Sequence, residues 1–182
     1  MGAHVTALDR SPAVLERLEK RFGPKIRSTY STGSTIEEAV VAADLVIGAV
    51  LIPGAAAPKL VTEDMVKAMR PGAVVVDVAI DQGGSIATSR ATTHSDPTYL
   101  IYDVVHYCVA NMPGAVPNTS TYALNNATLP FTLAIASKGA RQACLDDEHL
   151  RNGLNVFDGK LTEPSVADVF DLDYTDALTA LG

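Results

Sequence analysis

The sequence is short of cysteine, of basic residues and of long apolar runs, and each shortage removes a class of protein. Two cysteines, Cys108 and Cys144, in 182 residues are too few for a disulfide framework, and Cys108 lies in an apolar run where it reads as a small core side chain in a reducing compartment. A cytoplasmic protein is expected. Fourteen Lys and Arg against 21 Asp and Glu leave a formal charge of −7, so no basic surface is available to neutralise a run of phosphates, and nucleic acid is not an expected partner. Nine of the 21 acids fall after Ala143, a skew that reads as a solvated face. The longest apolar stretch, residues 45–58, falls short of the roughly 20 residues a spanning helix needs and is interrupted by Gly48, Pro53 and Gly54, so no membrane span is expected. No charged n-region and apolar h-region open the chain, which removes the meaning of the glycosylation sequons at Asn118 and Asn126. The myristoylation-like start reads as accidental, because residues 4–8 read as a strand that folding buries. The four histidines, His4, His94, His106 and His149, have no metal-ligand spacing with the cysteines, and no metal site is expected.

What is present is an ordinary globular composition, 47% hydrophobic and 19% charged, sufficient for a sizeable core. Continuous Val/Ile/Leu/Ala runs at 4–8, 44–50 and 73–79, and a broken run through 99–102 and 104–109, predict strands covered on both faces, as in a parallel sheet. Between them, Val14, Leu15, Leu18 and Phe22 repeat at helical spacing after Ser11, a candidate cap. A short strand is expected over 26–31, then a helix from 35 with Ser34 or Thr35 as its cap. This alternation predicts an α/β doubly wound domain. From Ser120 to Lys138 a long apolar helix is expected, kinked at Pro130 and stopped at Gly139. A shorter helix around 146–152, an acidic loop and a further turn or two of helix complete the chain.

One further shortage bears on function. A nucleotide-binding Rossmann unit opens on a strand, a Gly-x-Gly-x-x-Gly turn and a helix whose N-terminus receives the pyrophosphate, and that pattern is missing. The chain opens instead on Gly2-Ala-His-Val-Thr-Ala-Leu-Asp9, which looks like the second strand of such a unit, ending in the acid that follows the glycines by about 20 residues. Asp9 is suited to accept from both ribose hydroxyls of an adenosine and to repel a 2′-phosphate, so NAD is favoured over NADP; a turn or capping role is the local alternative. The strand running into Gly48 to Ala55 ends in a small-residue loop that could admit a flat cofactor or simply turn tightly. Asp81, just past the carboxyl end of the run from 73, lies where open α/β sheets put their ligands, and is a candidate acid/base.

These residues resemble bacterial L-alanine dehydrogenase, with NAD(P) transhydrogenase α subunits as more distant relatives. The resemblance rests on residues 1–9, 43–55, 58–61, Val76-Asp-Val-Ala-Ile-Asp-Gln-Gly-Gly84, Tyr107-Cys-Val-Ala-Asn-Met-Pro-Gly-Ala-Val-Pro117 and Thr119 to Leu124, and is loose after Cys144. It implies that Asp9, Ser31, Val50, Leu51, Val78, Ala79, Ile80, Asp81, Arg90, Val109, Ala110, Asn111 and Met112 line an NAD site. Asp81 corresponds to a catalytic aspartate, and Asn111 lies near nicotinamide and substrate. Val14 departs from the family, where a basic residue can reach the adenosine. Read without the resemblance, Ser31 is a turn cap, the apolar members are core and Arg90 is a surface charge. The expected fold is α/β, an incomplete Rossmann-type doubly wound parallel sheet over residues 1–117 followed by C-terminal helices over 118–182. In the family that helical segment packs on a substrate domain holding the catalytic His and the substrate-binding Lys and Arg, which this sequence is expected to lack. The implied activity is oxidation of L-alanine to pyruvate and ammonium in a homohexamer. An inactive or vestigial NAD-binding fragment, or the NAD-binding domain of a transhydrogenase α subunit, is the alternative.

Overall fold

The computed structural model describes residues 2–52 and 56–182; Pro53, Gly54 and Ala55 of the predicted small-residue loop lie outside them. Two compact units are present, one made of residues 2–52 and Ala56–Met112, the other of Pro113–Gly182.

The first unit opens on β1 (Val5–Asp9), α1 (Pro12–Phe22), β2 (Ile26–Tyr30), α2 (Gly33–Ala42) and β3 (Leu45–Gly48). It continues through α3 (Glu63–Ala68), β4 (Val74–Asp77), β5 (Thr98–Ile101) and β6 (Val104–Tyr107). Its strands form two sheets. β1 and β2 pair in parallel, Val5 opposite Ile26 and Asp9 opposite Tyr30. The larger sheet has the order β3-β4-β6-β5, parallel except for β5. In a doubly wound sheet of order 3-2-1-4-5-6 these are the pieces on either side of strand 1. Among the described residues no strand pairs with the second edge of β1 or of β3.

Those open edges correct the expectation that every strand is covered on both faces. Val5 on β1, and Leu45 and Ile47 on β3, are 48%, 53% and 60% exposed, because each lies on a border strand of its sheet. The core is built instead on β4 and β6: Val66, Val75, Ile86 and Val104 are wholly buried and pack with Val40, Val61, Met69 and Ala73, filling the face that α2 and α3 cover.

Several local expectations are also corrected. The cap of α2 is Thr32, whose hydroxyl accepts from Thr35 N–H while Thr35 Oγ1 accepts from Thr32 N–H, a reciprocal pair that leaves Ser34 no capping role. Ser11 occupies the cap position of α1 but makes no side-chain cap; its N–H donates to Asp9 Oδ1 at 2.7 Å. β5 and β6 form an antiparallel hairpin through Tyr102 and Asp103, both at positive φ (53° and 59°), as a two-residue turn of the I′ kind demands.

In the second unit α4 (Pro117–Lys138) runs through Pro130 as one helix to Gly139. It has no buried residue, and Tyr122, Leu124 and Leu133 are exposed. The expected helix around 146–152 is α6 (Glu148–Asn152), capped by Asp147, which accepts from Leu150 N–H at 2.9 Å; a further helix, α5 (Ala140–Asp146), precedes it where none was expected. The expected acidic loop contains a small hairpin, β7 (Val156–Phe157) and β8 (Lys160–Leu161). It turns on Asp158-Gly159 at positive φ. α7 (Pro164–Phe170) and α8 (Ala177–Leu181) follow. Arg141 ties α5 to the chain end through the Leu181 carbonyl at 2.5 Å and the Gly182 carbonyl. Among the described residues no helix is long and apolar enough to cross a membrane.

Ile86→Ala is expected to lower the unfolding free energy of the chain by about 3 kcal/mol, since it empties a wholly buried site in this core, whereas Leu100→Ala on the exposed face of β5 should change it by less than about 0.5 kcal/mol. Urea denaturation followed by circular dichroism checks both.

Candidate functional site

Parallel strands deliver their carboxyl ends to one edge of a sheet, so the segments leaving β3, β4 and β6 are neighbours. Gly48 is opposite Asp77 and Val76 is opposite Tyr107. That register brings together Val50 and Leu51 after β3, Val78 to Asp81 after β4, and Val109 to Met112 after β6. Asp9 and Ser31 form a separate pair at the carboxyl ends of β1 and β2, joined by Ser31 N–H donating to the Asp9 carbonyl at 3.0 Å. Among the described residues no hydrogen bond links that pair to the other group.

The segment after β4 winds into a 3-10 turn, Val78–Gln82, closed by Gly83 and Gly84 at φ +88° and +78°. Asp81 is exposed at its crest, as is Val78, whereas Ala79 and Ile80 turn inward and are buried. Val109 is likewise buried, while Ala110 and Asn111 are exposed and Met112 is half-buried. Ala79, Ile80 and Val109 could therefore offer a ligand only backbone and a floor, while the exposed Leu51, Val78, Asp81, Ala110 and Asn111 could offer side chains. Gln82 Oε1 is buried with no hydrogen-bond partner among the described residues, an orphan acceptor of the kind a bound donor satisfies.

Arg90 is exposed, yet it is held. Its guanidinium stacks 4.0 Å above the Tyr99 ring, and its N–H donates to the Tyr99 hydroxyl at 2.8 Å, which in turn donates to the Thr88 carbonyl. Burial pushes the Tyr99 phenol up to about 12. Tyr99 stacks on His106, ring centres 4.9 Å apart. Burial holds His106 below the ordinary imidazole range, in keeping with a neutral ring whose Nδ1–H donates to the Val104 carbonyl while Nε2 accepts from Thr88 Oγ1 at 2.7 Å. The same strap supports the β6 loop: Thr92 N–H donates to the Cys108 carbonyl at 2.9 Å, and His94 Nε2 meets the Asn111 carbonyl at 2.6 Å.

A nucleotide fits these donors and acceptors in two places. Asp9 uses only Oδ1, toward Ser11 N–H, among the described residues, which leaves Oδ2 for a ribose hydroxyl. The loops after β4 and β6 could offer the exposed residues Val78, Asp81, Ala110 and Asn111 to a flat ring. Gly48 answers an internal demand instead: a Cβ there would stand 2.2 Å from Ser85 Oγ.

Sequence reasoning missed four supports of this edge. Asp77, Ser85, Lys59 and Tyr99 touch no predicted ligand, and each works through backbone groups that a sequence does not distinguish. Lys59 Nζ donates to the Gly83 carbonyl at 2.6 Å. Segment 57–61 is laced to 82–87 by N–H groups of Ala57, Leu60 and Ala87. Among the described residues no cluster of His, Cys, Asp and Glu could hold a metal ion.

The depressed His106 has a pH signature. Between its folded value and the ordinary 6.5 the unfolded chain binds the proton and the folded chain does not, so stability falls as pH drops through that interval. His106→Gln should remove that part of the slope in urea midpoints measured from pH 7.5 to 5. Tyr99 works in the opposite sense: its folded value is raised, so its contribution is lost as pH rises above about 10. One tyrosine should titrate near 12 by absorbance at 295 nm, and disappear in Tyr99→Phe.

Comparison with known proteins places this geometry. Residues 1–164 match the family model described as alanine dehydrogenase/PNT, C-terminal domain. The chain is 57% identical to the alanine dehydrogenase of Halomonas elongata over 182 residues, all of this chain and 49% of that protein. It is 55% identical to the alanine dehydrogenase of Mycolicibacterium smegmatis over 177 residues, 97% of this chain and 48% of that one. A solved L-alanine dehydrogenase superposes with a TM-score of 0.82 at 49% identity, over 93% of this chain and 47% of its own. A transhydrogenase from Sinorhizobium meliloti does so with 0.60 at 31% identity, over 72% and 38%. The chain thus spans about half the length of the relatives it matches. It belongs to the alanine dehydrogenase/PNT family, as its C-terminal domain, a membership that implies a nucleotide cofactor.

Proposed function

We propose that this chain supplies the cofactor-binding part of an NAD-dependent L-alanine dehydrogenase, which oxidises L-alanine to pyruvate and ammonium. The observation that carries the reading is Asp81: an exposed carboxylate at the crest of the turn after β4, whose strand is hydrogen-bonded in parallel to β6, the strand that leads to the exposed Ala110 and Asn111. Residues 1–117 serve as the remainder of the NAD-binding domain and 118–182 as the segment that covers the substrate-binding half. Asp9 holds the adenosine ribose through Oδ2, with Ser31 beside it. Val50, Leu51, Val78, Arg90 and Met112 border the cofactor, and Ala79, Ile80, Val109 and Ala110 meet it through backbone. Asn111 faces nicotinamide and substrate. NAD, when bound, supplies a hydride acceptor for the α-carbon of alanine. Asp81 then gives and takes the protons as water adds to the substrate imine and ammonium departs. The edges of β1 and β3 that are unpaired among the described residues and the exposed apolar side chains of α4 support packing against further polypeptide; joined to a substrate-binding half, the protein would be a homo-oligomer of the cytoplasm.

The transhydrogenase likeness keeps a second reading, an NAD-binding domain of a transhydrogenase α subunit. The higher identity to alanine dehydrogenases favours the first, as does Asp-Gln-Gly-Gly at 81–84. A third reading is an inactive NAD-binding fragment.

Replacing the matching half of the Halomonas elongata enzyme by this chain tests the proposal. Alanine-dependent NADH formation at 340 nm is expected from that assembly, and not from residues 1–182 alone; an assembly that folds and binds NAD without turning over alanine would sink the dehydrogenase reading. In it Asp81→Asn should lower kcat by on the order of 10² while NADH binding changes little. Asp9→Ala should relax the preference for NAD over NADP, read as the ratio of kcat/KM for the two cofactors; Arg10 would have to dominate for the unmutated protein to show none.

A further inference from the structure

Asp77, the last residue of β4, is wholly buried and carries no opposite charge: among the described residues no Lys, Arg or His lies within salt-bridge reach of it. Burying a carboxylate is costly unless hydrogen bonds replace its water. Asp77 meets that demand from two adjacent residues, Ser85 and Ile86. Ser85 N–H reaches Oδ1 at 3.1 Å and Oδ2 at 2.9 Å, Ile86 N–H donates to Oδ2 at 3.0 Å, and Ser85 Oγ–H donates to Oδ1 at 3.2 Å. The bonds close a loop whose exposed members are Val78, Asp81 and Gly83.

The surroundings are shaped to this contact. A Cβ on Gly84 would lie 2.8 Å from Asp77 Oδ2, at a φ of +78°. A Cβ on Gly48, on the neighbouring strand, would lie 2.2 Å from Ser85 Oγ. Both glycines thus leave room for the Asp77–Ser85 pair. An amide replaces the carboxylate imperfectly: an NH2 at Oδ2 would face the Ser85 and Ile86 N–H donors, and one at Oδ1, even with the Ser85 hydroxyl turned to accept from it, gives up an acceptor that Ser85 N–H shares.

We propose that Asp77 is a positioning residue: by gathering the Ser85 and Ile86 donors it fixes the Val78–Gly84 segment and so the place of the Asp81 carboxylate. This rests on the assignment of proton transfer to Asp81 made above. A displacement of about 1 Å at a reacting group can cost 10²-fold in rate, which sets the scale of the effect.

The test has two parts. In the 182-residue chain, Asp77→Asn should speed amide exchange at Ser85 and Ile86 by about tenfold or more relative to Val75 and Val105 in the strands. In the active assembly it should lower kcat about 10- to 100-fold, leave KM for NAD within about threefold, and add less than about threefold to the loss already caused by Asp81→Asn. A residue that only stabilises the sheet would cost the same factor with and without Asp81. Equal factors, or unchanged exchange at Ser85 and Ile86, would overturn the proposal. If Asp77→Asn does not fold, Ser85→Ala carries the same cycle: it removes one donor to Oδ1, and an effect equal in both backgrounds, or none, counts against the role. Should the unmutated assembly lack alanine-dependent turnover, the functional reading falls while the exchange measurement still decides whether Asp77 holds the loop.

Discussion

The structure turns on a buried carboxylate satisfied by backbone. A parallel strand that ends in a 3-10 turn must re-enter the sheet edge without leaving its N–H groups orphaned, and Asp77 resolves this by accepting from Ser85 and Ile86. Everything near the crest follows from that closure: the positive φ of Gly83 and Gly84, the glycine at 48, and the insertion of Ile86 into the core. Lys59 and the strand-like segment 57–61 add a second fastening from outside.

The β6 side is held by different means. There the support is aromatic, with Arg90 on Tyr99 and Tyr99 on His106, and it depends on a neutral imidazole. Thr88 connects the two, since its carbonyl accepts from Tyr99 and its hydroxyl meets His106. The two loops that border Asp81 and Asn111 are thus braced independently, yet both start from adjacent, hydrogen-bonded strands. Among the described residues no hydrogen bond joins the β1–β2 pair with Asp9 and Ser31 to the larger sheet; its tie to α2 is Thr35 Oγ1, which donates to the Tyr30 carbonyl at 2.8 Å.

Much of this was legible in the sequence, for reasons that can be traced. Continuous apolar runs marked β1, β3, β4 and β6, and the position of Asp81 past one of them was enough to single it out. The hairpin at Tyr102-Asp103 was hidden because two bulky or charged residues at positive φ carry no turn signature, whereas Asp158-Gly159, flanked by Val-Phe and Lys-Leu, did carry one that went unread. The cap of α2 is Thr32 and not Ser34 or Thr35 because hydroxyl residues cluster at 32, 34 and 35, and the reciprocal bond forms between Thr32 and Thr35. Asp77 was invisible for a deeper reason: its partners are N–H groups eight and nine residues away, and every residue but proline has one. Burial of Ala79, Ile80 and Val109 was undetermined for a related reason, since a turn's inward and outward positions depend on how it is fastened.

On the proposed function a nicotinamide nucleotide binds along the carboxyl ends of these strands, at Asp9 and at the loops after β4 and β6. The most direct measurement is an amide chemical-shift map of the isotopically labelled chain titrated with NADH, which registers even weak binding. The account predicts shifts concentrated at Asp9 to Ser11, Ser31, Val78 to Gly83 and Ala110 to Met112, with the amides of α6, α7 and α8 unmoved. Saturating shifts confined to the second unit, with the Val78 to Gly83 amides silent, would contradict it.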